Sequence, residues 1–379
     1  MNTLAHSLSA LAITLSVGAC TDAAEPAAPV PAALKLELRM RATIPPGAEV
    51  EYCQFVTVPE TWVTKDAIEF TAGSHHVLVF QTPYAEIPTR KKDGTPVDTS
   101  GVFDCSDGPT NGWSVAKVIG GSQNRTGESL LTFPEGVAAR MGGVLLMNVH
   151  YRNASDVPLE TQVKVAFDTT TPDQISQEGD MLFLYNPLIS VPPGGTSTAR
   201  WRCPVYQDIT IANAQSHMHS RGVGYAARVD DQAPFYVNDR WEGVPVQSYD
   251  DFTVKAGSVL DYHCDYRNTG STPIYQGLRT TDEMCMLIGS YYPADPRTAN
   301  CLDESGKLPG GEWIGQGTAS CAKTLACLEQ ARGLPAMTDC MLDASPAVSR
   351  ESSELLRCFL GTQDPLDQCT AQIEACAAI

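Results

Sequence analysis

Between Leu34 and about Asp168, short runs rich in apolar and β-branched residues alternate with clusters of Gly, Pro, Asn and Asp. The runs Glu51 to Val58, His75 to Phe80 and Val144 to Tyr151 have strand length and are bounded by turn formers. Residues 34–168 therefore read as an all-β sandwich or barrel rather than a helical domain. A polar stretch, 169–179, reads as a linker. A second β-rich region covers 180–303, with turn signals at Pro192-Pro193-Gly194-Gly195 and Asn268-Thr269-Gly270. Each half is long enough for its own core. In 304–379 the period changes: Ala322 to Arg332, Ser352 to Leu360 and Asp367 to Ala378 carry Leu, Ala, Glu and Gln at helical spacing. The fold class expected is mainly β, two consecutive domains followed by a small helical region.

The amino terminus bears on compartment. Leu8 to Gly18 is apolar but too short to cross a bilayer, and Val17-Gly18-Ala19-Cys20 resembles a bacterial lipoprotein signal peptidase site. Residues 1–19 then form a signal peptide, Cys20 carries the lipid, and the Ala- and Pro-rich stretch 20–33 is a flexible tether. The first seven residues hold no Lys or Arg, which leaves an ordinary secretory signal as the alternative. Both readings export the protein, the first to a membrane anchor facing the periplasm or cell surface. The chain has 13 cysteines, and setting Cys20 aside leaves an even number suited to six disulfides in an oxidising compartment. Six of them punctuate the helical tail, where three disulfides would compensate for a small core. Zinc is the rival use of these six, but no Cys-x-x-Cys knuckle occurs. A net charge of −18 argues against nucleic acid, which needs a basic surface. No later segment reaches eighteen consecutive apolar residues, so a lipid anchor would be the sole membrane contact.

Candidate chemistry lies in the histidines. Five of seven fall into three groups, His75-His76, His150 and His217-Met218-His219, each in a strand-like run. That use of a metal-binding residue suggests two metal sites, since three histidines lie in the first half and two in the second. His217 and His219 project from one face of a strand, and by alternation Ile209, Ile211, Asn213 and Gln215 share it. The bland reading is a solvated pair. His75 and His76 are neighbours, so gripping one ion together requires an irregular strand start, which Gly73-Ser74 can supply. His150 reads either as a ligand or as a hydrogen-bonded core histidine. Met284, in Asp282-Glu283-Met284-Cys285, is either core filler or a soft third ligand for His217 and His219. His263 reads as an ordinary strand histidine. Asn124-Arg125-Thr126 and Asn153-Ala154-Ser155 match a glycosylation sequon, discounted because the signal points to a bacterium.

The order Ser74-His75-His76-Val77-Leu78-Val79-Phe80, Asn148-Val149-His150-Tyr151, His217-Met218-His219 and Asp282-Glu283-Met284-Cys285, with Tyr291-Tyr292 following, resembles the copper type II, ascorbate-dependent monooxygenases. Peptidylglycine α-hydroxylating monooxygenase and dopamine β-monooxygenase are members of that family. The resemblance spans roughly residues 45 to 305. It implies two jelly-roll β-sandwich domains facing each other across a water-filled cleft, each carrying one of two copper ions. His75, His76 and His150 would hold the electron-transfer copper. His217, His219 and Met284 would form the catalytic site that binds dioxygen and attacks a substrate C–H bond, with ascorbate or an equivalent as electron donor. The family's disulfides imply Cys264 with Cys285 and Cys203 with Cys301. In the first domain several family cysteines are absent, and the remaining Cys53 and Cys105 are paired with each other.

Departures concern the substrate. Peptide-hydroxylating members hold a carboxylate with an Arg and a Tyr at positions occupied here by Gln215 and Ile288, so a glycine-extended peptide is not expected. Asn213, Gln215, Ile288 and Ser290 are the candidate pocket residues, and their mixed neutral character suits an uncharged or weakly polar small molecule. A non-catalytic copper-binding or copper-buffering lipoprotein would need the same ligands. A zinc hydrolase on the three-histidine site is a third reading, for which no carboxylate base stands out.

Overall fold

In the computed structural model, which describes residues 35–124, 129–362 and 364–379, the chain is mainly β with a helical carboxyl-terminal region. The expected signal peptide, Cys20 and the tether lie outside the described residues. The first body consists of β1 (Lys35–Ile44), β2 (Glu49–Phe70), β3 (Ser74–Gln81), β4 (Val102–Asp104), β5 (Lys117–Ser122), β6 (Val137–Arg152), β7 (Leu159–Thr170) and β8 (Gln177–Glu178). They form one sheet in the order β1-β7-β2-β6-β3-β5, with β4 against β2 and β8 against β6. In β1 the alternation is plain: Leu38 and Met40 are buried while Glu37, Arg39 and Arg41 face water. The long β2 serves two partners because register shifts around Pro59, which cannot donate to the ladder, and near Thr64 turn it from β6 towards β7. Cys53 and Cys105 form a disulfide inside this core.

The second body begins with β9 (Asp180–Tyr185) and β10 (Ser190–Val191), then β11 (Thr196–Pro204), β12 (Ile209–His217), β13 (Gly222–Val229) and β14 (Tyr236–Asn238). It continues through β15 (Gln247–Val254), β16 (Val259–Arg267), β17 (Ile274–Tyr275), β18 (Met286–Tyr292) and β19 (Glu312–Ile314). Two sheets, β14-β13-β16-β11-β19 and β15-β12-β18-β9, enclose a core containing Trp201, Tyr262 and Tyr266. These tyrosines keep their hydroxyls satisfied across the core: Tyr262 donates to the Leu184 carbonyl at 2.9 Å and Tyr266 to the Met284 carbonyl at 2.7 Å. Disulfides join Cys203 to Cys301 and Cys264 to Cys285.

Two expectations need correction. A bulge at Ala212 shifts β12 against both neighbours, so Ile209 and Ile211 point into the second core while Asn213, Gln215 and His217 take the other face. Nor does the expected water-filled cleft run the length of the boundary: a polar cleft opens between the bodies beside His75, and the rest is closed by apolar packing. Leu287 and Tyr291 of β18 face the second core, whereas Met286 and Ile288, with Met181 of β9, belong to the apolar cluster of the first body. This sheet is apolar on both faces, and parting the bodies would expose the outer one to water.

The tail is docked, not appended. β19 pairs with β11, Trp313 stacks on Trp201 at 5.5 Å between ring centroids, and helices Cys321–Gln330, Gly333–Asp343, Ser349–Gly361 and Thr370–Ala377 contribute to the second core. Cys321–Cys376, Cys327–Cys340 and Cys358–Cys369 are disulfides, so none of the six tail cysteines is a thiolate ligand. The helix Gly333–Asp343 was not anticipated by the spacing. Trp313→Ala is expected to cost about 3–5 kcal/mol in denaturant unfolding of the whole chain; an unchanged midpoint for the β core would show the tail to be energetically separate.

Candidate metal centre

β3 starts irregularly. Ser74 pairs with Tyr151 and His76 with His150, which leaves His75 as the extra residue of a bulge immediately after Gly73 at φ +91°. The bulge lets both neighbours present their rings to the end of β6, as the adjacent pair required. The rings of His75, His76 and His150 lie 5.2–5.4 Å apart by centroid, and one nitrogen from each falls within 4.8 Å of the others. At the end of β12, Met218 turns into the second core while His217 and His219 face the seam with their rings 5.3 Å apart. The two groups are not distant. His76 lies 5.9 Å from His217, and His75 lies 5.9 Å from His219 and 6.4 Å from His217. Separation in sequence suggested two sites far apart; closure of the seam brings the two groups of histidines side by side.

The cluster has the chemistry of a metal site. His75 Nε2, His76 Nδ1, His150 Nδ1 and His219 Nε2 are buried and have no hydrogen-bond partner among the described residues. Such orphaned nitrogens are costly unless something binds them. Other ring nitrogens are engaged: His150 Nε2 lies 3.1 Å from Glu49 Oε1, His217 Nδ1 2.6 Å from Gln123 Oε1, and His219 Nδ1 3.0 Å from the Asp282 carbonyl. Donation to these acceptors leaves the opposite nitrogen of each ring as a lone-pair donor, the arrangement that orients metal-ligating imidazoles. Burial pushes all five pKa values below the usual histidine range, His150 and His219 to about 4, so the rings are neutral at pH 7 and ready to ligate.

Acidic and amide side chains around the rings support this frame. Burial alone would raise the pKa of Glu49, but bonds from Thr280 and the nearby His150 outweigh it and keep the group ionised. Glu49 thereby ties His150 of the first body to the Thr280 backbone N–H of the second at 2.6 Å. Gln123, also from the first body, holds His217 and donates to the Ser216 carbonyl at 2.7 Å. Buried Glu283 accepts the backbone N–H groups of His219 at 2.9 Å and Arg221 at 2.8 Å, clamping the turn that carries the second histidine. Glu283 sat inside the motif that drew attention to Met284; nothing in spacing marked Glu49 or Gln123. Glu49→Ala is expected to weaken binding of added Cu(II) to His75, His76 and His150 about 10–100-fold in chelator competition, and unchanged affinity would mean that Glu49 does not orient His150.

Met284 is 7% exposed, packs in the first body's apolar cluster, and lines one cavity with His76 and His217. Gln215 and Ile288 line it too. Gln215 donates to the Val244 carbonyl at 2.7 Å. Asn213 and Ser290 instead bond one another and the first body: the Ser290 N–H donates to Asn213 Oδ1 at 3.1 Å, and Ser290 Oγ accepts from the Thr132 N–H at 3.2 Å. His263 stands apart on β16, 3.8 Å from Asp265. A second, polar cleft of about 690 Å³ opens beside His75.

Part of this site sits in a segment with known relatives. Residues 180–307 match the copper type II ascorbate-dependent monooxygenase, C-terminal domain. This copper monooxygenase domain contains His217, His219, Met284, Cys203–Cys301 and Cys264–Cys285, while His75, His76 and His150 precede it. No curated protein matches the chain. Among solved structures, a peptide-N(4)-(N-acetyl-β-D-glucosaminyl)asparagine amidase is similar at 9% identity, over 68% of this chain and 95% of that one, with a TM-score of 0.30. A likeness of that degree carries no argument.

Proposed function

We propose that the chain is a copper-dependent monooxygenase that hydroxylates a C–H bond of a small substrate with dioxygen and ascorbate or a similar one-electron donor. The observation that carries this reading is the five-histidine cluster: neutral imidazoles, four buried and His75 half-buried, four of them with an orphaned nitrogen and two inside a copper monooxygenase domain. His75, His76 and His150 would hold one copper ion, and His217, His219 and Met284 a second. Copper there would supply one-electron transfer and dioxygen activation, with R–H, O₂, two electrons and two protons giving R–OH and water. The protein's part is to keep the rings neutral by burial and fix their orientation through Glu49, Gln123 and the Asp282 carbonyl. Six disulfides suit an oxidising compartment, in keeping with export and a lipid on Cys20.

Oxygen uptake by copper-loaded protein, supplied with ascorbate and a substrate panel, tests the reading. Uptake that depends on copper and yields hydroxylated product is expected. A protein that binds two coppers and consumes no oxygen with any donor would be a copper buffer instead.

A further inference from the structure

The cavity beside His76 and His217 is a slot between two facing sheets. Alternation puts Leu78 and Phe80 of β3 on one wall, and Phe183 of β9 with Met286 and Ile288 of β18 on the other. His76, His217 and Met284 also line it, so whatever occupies the slot meets the proposed metal ligands. No Lys or Arg lines it. Besides histidine and Tyr185, its ionisable group is Glu51, which is 4% exposed, accepts from Asn148 Nδ2 at 3.0 Å, and has a pKa pushed up to about 7 by burial. Its volume is about 130 Å³, close to the roughly 150 Å³ of an apolar protein cavity that takes up benzene.

We propose that this slot binds a neutral, apolar molecule the size of one aromatic ring, and that this molecule is the substrate. Its role as substrate rests on the monooxygenase reading; its binding does not. An anionic ligand would be buried beside Glu51 with no cation to pair it, and an ammonium would need Glu51 ionised against the cost of burial. Thioether and aromatic side chains on the walls favour a flat ring over a polar chain.

Calorimetric titration of the metal-free full chain with toluene, benzoate and benzylamine tests this. Toluene is expected to bind, and both charged analogues at least about tenfold more weakly. Ile288→Phe fills the slot and should weaken toluene binding at least about tenfold. Should that variant fail to fold, Phe183→Ala serves: it enlarges the slot and should strengthen naphthalene binding at least about tenfold relative to the parent. Equal or tighter binding of either charged analogue overturns the assignment, as does toluene binding that neither variant alters. Because no copper or oxygen is present, toluene binding without oxygen uptake in the loaded protein would defeat the enzymatic reading and leave the site. Hydroxylation of compounds that ignore both variants would do the reverse.

Discussion

Met284→Ile is expected to lower substrate-dependent oxygen uptake by about 100-fold or more, while the protein keeps its fold and the copper held by His75, His76 and His150. Isoleucine is close to methionine in volume, so the apolar wall shared with Met286 and Ile288 is preserved. The backbone stays fixed as well, because the carbonyl at 284 still accepts from Tyr266 and Cys285 is still bonded to Cys264. What disappears is the thioether, a soft donor that favours Cu(I), from a set whose other members are imidazoles. Loss of a group that only orients a ligand commonly costs 10–100-fold, and loss of a ligand should cost at least as much. An oxygen electrode and copper analysis of the same preparation check this. Full activity would mean that Met284 serves only as packing, as its place in the apolar cluster allows.

His150→Ala should act on the other set. The ring is 1% exposed at the seam, pairs across the sheet with His76, and is held by Glu49. Its removal takes one of three proposed ligands and leaves the Glu49 carboxylate without its imidazole partner. Bound copper is expected to fall from two ions to one per chain, and steady-state turnover by about 100-fold or more. Rapid-mixing reduction by ascorbate would show whether delivery of the electron is the step that fails. Two coppers and undiminished reduction would make His150 a core histidine.

The strands that carry the histidines were legible because their apolar runs have the right length and boundaries. The adjacency of His75 and His76 demanded a distorted strand start, and Gly73-Ser74 is where the bulge occurs. The seam was not foreseen, although a sign of it is present: Met181-Leu182-Phe183-Leu184 and Met286-Leu287-Ile288 are continuous apolar runs, as expected of strands buried on both faces. The bulge at Ala212 left no mark in composition, so strict alternation assigned Ile209 and Ile211 to the wrong side. Glu49 and Gln123 act on histidines 101 and 94 residues away, a proximity made only by tertiary structure. Trp313 likewise gave no hint that the tail would add a strand to the second body.

Imidazoles from both bodies meet at one place. Electron paramagnetic resonance of the chain loaded with two Cu(II) ions tests this, since rings 5.9–6.4 Å apart across the seam would hold the two ions within range of dipolar interaction. Cu(II) signals broadened or split by dipolar interaction between the two ions are expected. Two independent, fully intensive Cu(II) spectra without coupling would contradict it.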